Sequence, residues 1–94
     1  MGYYILFYKT SKTYIKDREP HRALHLEHAK KAQETGNLLL AGALEEPADQ
    51  AMLIFKTDQR AQVEDFAKND PYVLHGVVKH WAISPWKVVM GKLI

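Results

Sequence analysis

Three stretches of this chain are apolar without interruption: Tyr4-Ile5-Leu6-Phe7, Leu38-Leu39-Leu40 and Met52-Leu53-Ile54-Phe55. Successive side chains of a β-strand point to opposite faces, so a strand with one wet face alternates apolar and polar residues. These stretches do not alternate. They predict strands covered on both faces, while the helical segments between them can cover only one. In a chain of 94 residues the simplest cover for the second face is another copy of the same chain. The sequence therefore predicts a homodimer packed sheet to sheet, with the apolar residues 88–94 extending the contact. The competing arrangement folds that tail over its own sheet.

The order of elements fixes the fold class. Residues 3–8 are expected to form a strand, and the polar residues 9–19 a mobile loop. Pro20 suits a first helical turn. Residues 21–35 have helical composition and end at Gly36, as a helix closed by a glycine does. Residues 38–43 and 51–56 predict two strands joined by a turn through Glu45 to Asp49. Thr57-Asp58 can cap a helix over 59–69. Asp70-Pro71 stops it, because the residue before proline is pushed out of the helical region. A last strand is expected over 77–83, followed by a tail over 84–94. Strand, helix, strand, strand, helix, strand is the βαββαβ order of an α+β, ferredoxin-like plait: a four-stranded antiparallel sheet with two helices on one face. The whole of residues 1–94 reads as a single domain.

Composition excludes several classes of function. An apolar share of 47% with 26% charged residues is that of a folded chain. The net charge of +2 comes without a basic block or stripe, so nucleic acid is not an expected partner. The chain has no cysteine, which excludes disulfides, thiolate metal sites and a cysteine nucleophile, and points to a cytoplasmic protein. The apolar run at the N-terminus is too short for a membrane span, and no membrane partner is expected. No phosphate loop, dinucleotide fingerprint or metal motif of known spacing is present, and no cofactor or metal is expected.

His21, His25 and His28 lie within one arc of the first helix, at offsets of four and seven residues with about 100° per residue. Leu26, Ala29 and Ala32 fall beside His25, which places it at the edge of the buried face. Three readings compete. His25 can be a packed rim histidine without chemistry. The three imidazoles can chelate a metal. Or His25 can act as a general acid or base at the mouth of a pocket between helix and sheet. Asp70 is the natural partner for that last role, since the break after the second helix can approach the start of the first. As a turn residue, Asp70 can equally bond its own backbone. Tyr72 can line the site by adjacency. Arg22 can bind a carboxylate in a bidentate pair or stand in solvent. Trp81 is expected in the core, and Trp86 either at the pocket or at the dimer seam.

Four segments carry a resemblance: Arg22-Ala23-Leu24-His25-Leu26-Glu27-His28, Gly36 with Leu38-Leu39-Leu40-Ala41-Gly42, Asn69-Asp70-Pro71-Tyr72-Val73 with Gly76-Val77, and Trp81-Ala82-Ile83-Ser84-Pro85-Trp86. In this order they resemble the YciI-related family, which is similar in fold to muconolactone isomerase, a dimeric α+β barrel. The resemblance implies a His–Asp pair in a pocket, falling on His25 and Asp70, and a family arginine falling on Arg22. It implies proton-transfer chemistry of lyase or isomerase type, such as dehydrochlorination of a chlorinated hydroxymuconate. Ala23 and Ala43 stand where the family often has proline. The reading is a cofactor-independent enzyme acting on a small anionic metabolite, with catalytic His25 and Asp70 and with Arg22 and Tyr72 binding substrate. The alternative is a non-catalytic ligand-binding or accessory module on the same dimeric scaffold.

Overall fold

One antiparallel sheet organises the chain. Its strands are β1 (Gly2–Thr10), β2 (Leu38–Ala43), β3 (Gln50–Thr57) and β4 (Val78–Trp86), in the spatial order β2-β3-β1-β4. This is the α+β plait expected from the element order. The computed structural model describes residues 2–92, so the expectations for Leu93 and Ile94 lie outside the described residues. Helical elements cover one face: α1 (Tyr14–Asp17), a 3₁₀ turn (Glu19–His21), α2 (Arg22–Glu34), α3 (Arg60–Asn69) and α4 (Pro71–Leu74).

Register explains the two apolar faces. Leu6 lies between Leu53 and Ile83, and all three are buried beneath the helices with Tyr8, Phe55 and Val78. Val63, Phe66 and Ala67 of α3, with Tyr72 of α4 and Tyr14 of α1, close this core from above. Trp81 packs against the same core from β4, as expected. On the reverse face, Tyr3 pairs with Trp86, Ile5 with Ile54, and Phe7 with Met52. Among the described residues no helix covers that side: Trp86 is 45% exposed and Leu40 60%. The uninterrupted runs therefore do supply both faces, and Trp86 lies on the uncovered one, away from the helices.

Helix ends follow local chemistry. α2 closes with the N–H of Gly36 donating to the carbonyl of Gln33 at 2.9 Å, and Gly36 has φ +85°. That left-handed conformation strains any residue with a Cβ. α3 stops at Asp70, whose ψ of 125° is the extended geometry imposed by Pro71. The same proline opens α4, a short turn absent from the sequence expectation. β4 runs three residues beyond its predicted end, to Trp86.

The expected mobile loop over 9–19 is corrected. β1 continues to Thr10, whose N–H donates to the Asp49 carbonyl at 3.0 Å, and α1 follows directly. The polar residues that suggested a loop bind one another: Ser11 and Thr13 hydroxyls donate to Asp17 Oδ2 at 2.7 and 2.6 Å. Those two hydrogen bonds hold the Asp17 carboxyl below its ordinary pKa, the Thr13 bond contributing most. Meanwhile Tyr14 is buried in the core. Short polar side chains that bond locally make ordered turns out of loop-like sequence. Among the described residues no helix is long and apolar enough to cross a membrane.

Gly36→Ala is expected to lower unfolding stability by about 1 kcal/mol, read by urea denaturation, because the left-handed φ persists while the Cβ adds strain.

Candidate functional site

The residues that end α3 build the centre of the site. Asp70 is fully buried, at 0% exposure, and a buried carboxylate needs donors. It has three, each from a different part of the fold. The Tyr8 hydroxyl, on the helix-facing side of β1, donates to Oδ2 at 2.7 Å. The backbone N–H of Tyr72 donates to Oδ1 at 3.0 Å and caps α4. His25 Nδ1, from the end of the first turn of α2, lies 2.7 Å from Oδ1. The local turn role and the His25 partnership, alternatives in the sequence, are both fulfilled by the one side chain.

This network sets the histidine tautomer. An ionised carboxylate only accepts, so the hydrogen of the short bond belongs to Nδ1 of His25. The neutral ring then carries its lone pair on Nε2, which has no hydrogen-bond partner among the described residues. The imidazole is 14% exposed and lies face to face on the Tyr72 ring, centroids 3.7 Å apart and planes 6° apart. Tyr72 in turn meets Tyr14 edge-on at 6.1 Å, and the Arg18 guanidinium sits 5.0 Å above the Tyr14 ring. His25 is thus fixed in both orientation and tautomer.

A cavity of about 210 Å³ opens beside this assembly, between α2 and the sheet. Tyr8, Thr10, Ala51 and Leu53 contribute from the strands, Arg22, His25 and Ala29 from α2, and Tyr14, Arg18 and Tyr72 from the surrounding turns. Space exists because α2 packs loosely. None of its residues is fully buried, and its inward stripe is Arg22, His25, His28, Ala29 and Ala32. The facing sheet edge is small, with Ala41, Gly42, Ala43 and Ala51.

Burial shapes the two phenols of the site. It pushes the Tyr8 hydroxyl far above the ordinary tyrosine range, with the Asp70 charge and hydrogen bond adding to the effect. Tyr8 therefore stays a proton donor to Asp70. Burial also raises Tyr72, opposed by the positive charges of Arg22 and Arg18.

Of the four residues singled out in the sequence, His25, Asp70 and Tyr72 are in direct contact, and Arg22 lines the same cavity. The three helical histidines do not converge. His28 Nε2 lies 2.9 Å from the Phe66 carbonyl and its ring stacks on Phe66, while His21 stacks on His75 at 4.3 Å. Among the described residues no cluster of three or more metal-binding side chains forms. The sequence reading missed Tyr8, Thr10, Tyr14 and Arg18. Tyr8 lies inside a strand whose preceding helix-facing positions are apolar, and the other three lie in the polar segment 9–19, whose composition is that of a loop.

Known proteins bear on this geometry. The YCII-related domain matches residues 1–87. The fold is similar to that of 5-chloro-2-hydroxyhydroquinone dehydrochlorinase from Burkholderia phenoliruptrix, solved with 2,5-dihydroxybenzoquinone. That likeness has a TM-score of 0.76 and 17% identity, over 90% of this chain and 93% of that one. A protein from Agrobacterium tumefaciens is similar with a TM-score of 0.62 and 15% identity, over 95% and 94% of the two chains. At these identities the likeness shows the fold. The dehydrochlorinase is named for a chlorinated hydroxyhydroquinone, not for the hydroxymuconate that the resemblance had suggested. No curated protein matches the chain.

Tyr8→Phe is expected to cost about 1–3 kcal/mol of unfolding stability near neutral pH, by loss of a donor to a buried charge. In the native protein Tyr8 binds its proton more tightly than an unfolded tyrosine does, whose pKa is about 10. Its contribution is therefore complete below pH about 10 and lost as the pH rises further. Denaturation midpoints measured across the alkaline range should fall less steeply in Tyr8→Phe than in the wild type.

Proposed function

Because the chain belongs to the YCII-related domain family, we propose that it is a small-molecule enzyme in which His25 transfers a proton and Asp70 positions and supports it. The observation that carries this reading is the 2.7 Å bond between His25 Nδ1 and Asp70 Oδ1 at the wall of a cavity, with Nε2 left for a ligand. A carboxylate behind the ring holds the basic nitrogen toward the substrate and stabilises the imidazolium that forms on protonation. In an elimination, Nε2 takes a proton from carbon, the C–H electrons form the double bond, and the leaving group departs from the neighbouring carbon. In an isomerisation, Nε2 returns the proton at another carbon of the same molecule. The name of the dehydrochlorinase similar in fold supports the elimination. Tyr72 orients the imidazole and borders the substrate, and Arg22 holds a carboxylate on it.

We also propose that a second copy covers the open sheet face. Tyr3, Phe7, Leu40, Met52, Ile54 and Trp86 share that face, and Leu40, Met52 and Trp86 are exposed on it; neighbouring exposed apolar side chains mark an interaction surface.

Two measurements test these proposals. Small hydroxy- and oxo-acids, together with 5-chloro-2-hydroxyhydroquinone, are incubated with the protein in D₂O and followed by NMR for carbon-bound exchange or elimination. The expected result is turnover with at least one compound, falling about 10²–10⁴-fold in His25→Gln. Equal rates in wild type and variant remove the proton-transfer role and favour a ligand-binding module. Light scattering at micromolar concentration is expected to give twice the 10.8 kDa chain mass, and Met52→Glu to restore the monomer. A monomeric wild type refutes the sheet-to-sheet dimer.

A further inference from the structure

Two buried side-chain atoms of residues that border the cavity have no hydrogen-bond partner among the described residues: Thr10 Oγ1 and Arg18 Nε. Both atoms are buried, and Thr10 as a whole is 6% exposed. Both residues line the same cavity as His25. Folded proteins pair nearly all of their buried polar groups, because one left alone retains its desolvation cost. The proton-transfer chemistry uses neither residue.

Their surroundings define what would pair with them. Arg18 is held in place: it follows α1 directly, its Nη1 donates to the Tyr14 hydroxyl at 3.4 Å, and its guanidinium covers the Tyr14 ring. The Nε edge is thus fixed rather than swinging in solvent. Arg22 stands four residues on and lines the same cavity, and among the described residues no carboxylate forms an ion pair with either guanidinium. Both guanidinium charges reach Tyr72, whose phenol they pull down against the effect of burial. The one carboxylate nearby, Asp70, has both oxygens engaged by Tyr8, His25 and the Tyr72 N–H. The cavity is therefore bordered by two guanidinium charges and by residues whose N–H and O–H donors lack a protein partner. Alanines and leucines form much of the remaining lining.

We propose that Arg18 and Thr10 are specificity residues for a small carboxylic acid that carries a second oxygen function, a hydroxyl or carbonyl. Arg18, with Arg22, takes the carboxylate, and Thr10 bonds the second oxygen. The two residues come from different elements, β1 and the turn after α1, and border the same cavity. A guanidinium recognises a planar carboxylate by paired N–H donors. A cavity of about 150 Å³ holds benzene, so the 210 Å³ here accepts one ring or a short unsaturated chain with two oxygen substituents. This assignment deepens the proton-transfer reading and rests on it for the place of the reacting carbon next to His25.

Salicylate, benzoate, phenol and phenyl phosphate are suitable probes, titrated into the full chain by calorimetry or NMR. Salicylate is expected to bind most tightly. Arg18→Met should weaken salicylate about ten- to a hundredfold, the range for a hydrogen bond to a charged group. Thr10→Val, which keeps the shape and removes the hydroxyl, should weaken salicylate several-fold and leave benzoate unchanged. Should Arg18→Met fail to fold, Arg18→Lys keeps the charge without the Nε donor and should still weaken salicylate. The proposal is overturned by absent salicylate binding, by phenol binding as tightly as salicylate, by tighter phenyl phosphate, or by Thr10→Val weakening both acids equally. Binding at equilibrium requires no turnover. A His25→Gln variant with undiminished exchange chemistry removes the proton-transfer role alone, whereas lost Arg18 and Thr10 effects remove the carboxylate assignment alone.

Discussion

A carboxylate sealed from water beneath two helices sets the terms for the rest of this protein. Asp70 loses its hydration on folding, and a charge in that position is tolerated only if donors replace the lost water. The replacements are a phenol from the central strand, an imidazole from α2 and a backbone N–H from α4. Three elements far apart in sequence are thereby tied to one atom pair. Taking away a single neutral donor leaves a buried charge under-solvated, at a cost of roughly 1–3 kcal/mol. Structural need and chemical capacity coincide: the bonds that make Asp70 bearable are those that fix the tautomer of His25.

The cavity follows from how α2 is attached. α3 anchors itself by burying Val63, Phe66 and Ala67. α2 has no comparable anchor. It is held by His25 on Asp70, by His28 on the Phe66 carbonyl and ring, and by small alanines, while Leu24 and Leu26 remain exposed. A helix attached through polar and small side chains fills less of the space beneath it than one packed through leucines, and the small residues Ala41, Gly42 and Ala51 opposite do not fill the gap. Arginines from the first turn of α2 and from the turn before it border the space that results. The site is thus a product of deliberate under-packing along one helix, with rigidity supplied by the aromatic contacts among His25, Tyr72 and Tyr14.

Much of the site was legible in the sequence, though for uneven reasons. His25 could be placed because helical periodicity is a strong local signal, and Asp70 because proline fixes the backbone before it. Their meeting required the plait order, which the alternation of strands and helices supplied. Tyr8 was not legible as a site residue, since a tyrosine in an apolar strand looks like core until its hydroxyl is seen against a carboxylate 62 positions away. Thr10, Tyr14 and Arg18 were lost for a different reason. The polar composition of residues 9–19 is that of a mobile loop, yet Ser11, Thr13 and Asp17 satisfy one another and hold the segment in place.

What the sequence determined by itself is what short-range rules control: the order of the four strands and the two longer helices, the glycine that closes α2, the proline that ends α3, and the double-sided apolar character of the strands. Each depends on residues within a few positions of one another, where dihedral preference and side-chain period decide. What only the tertiary structure decided is which polar atoms share a wall. The three donors around Asp70, the parting of His25 from His21 and His28, and the convergence of Thr10 and Arg18 on one cavity all depend on strand register and on how far α2 stands from the sheet. Those are properties of packing, summed over many weak contacts across the fold, and no local stretch of the chain contains them.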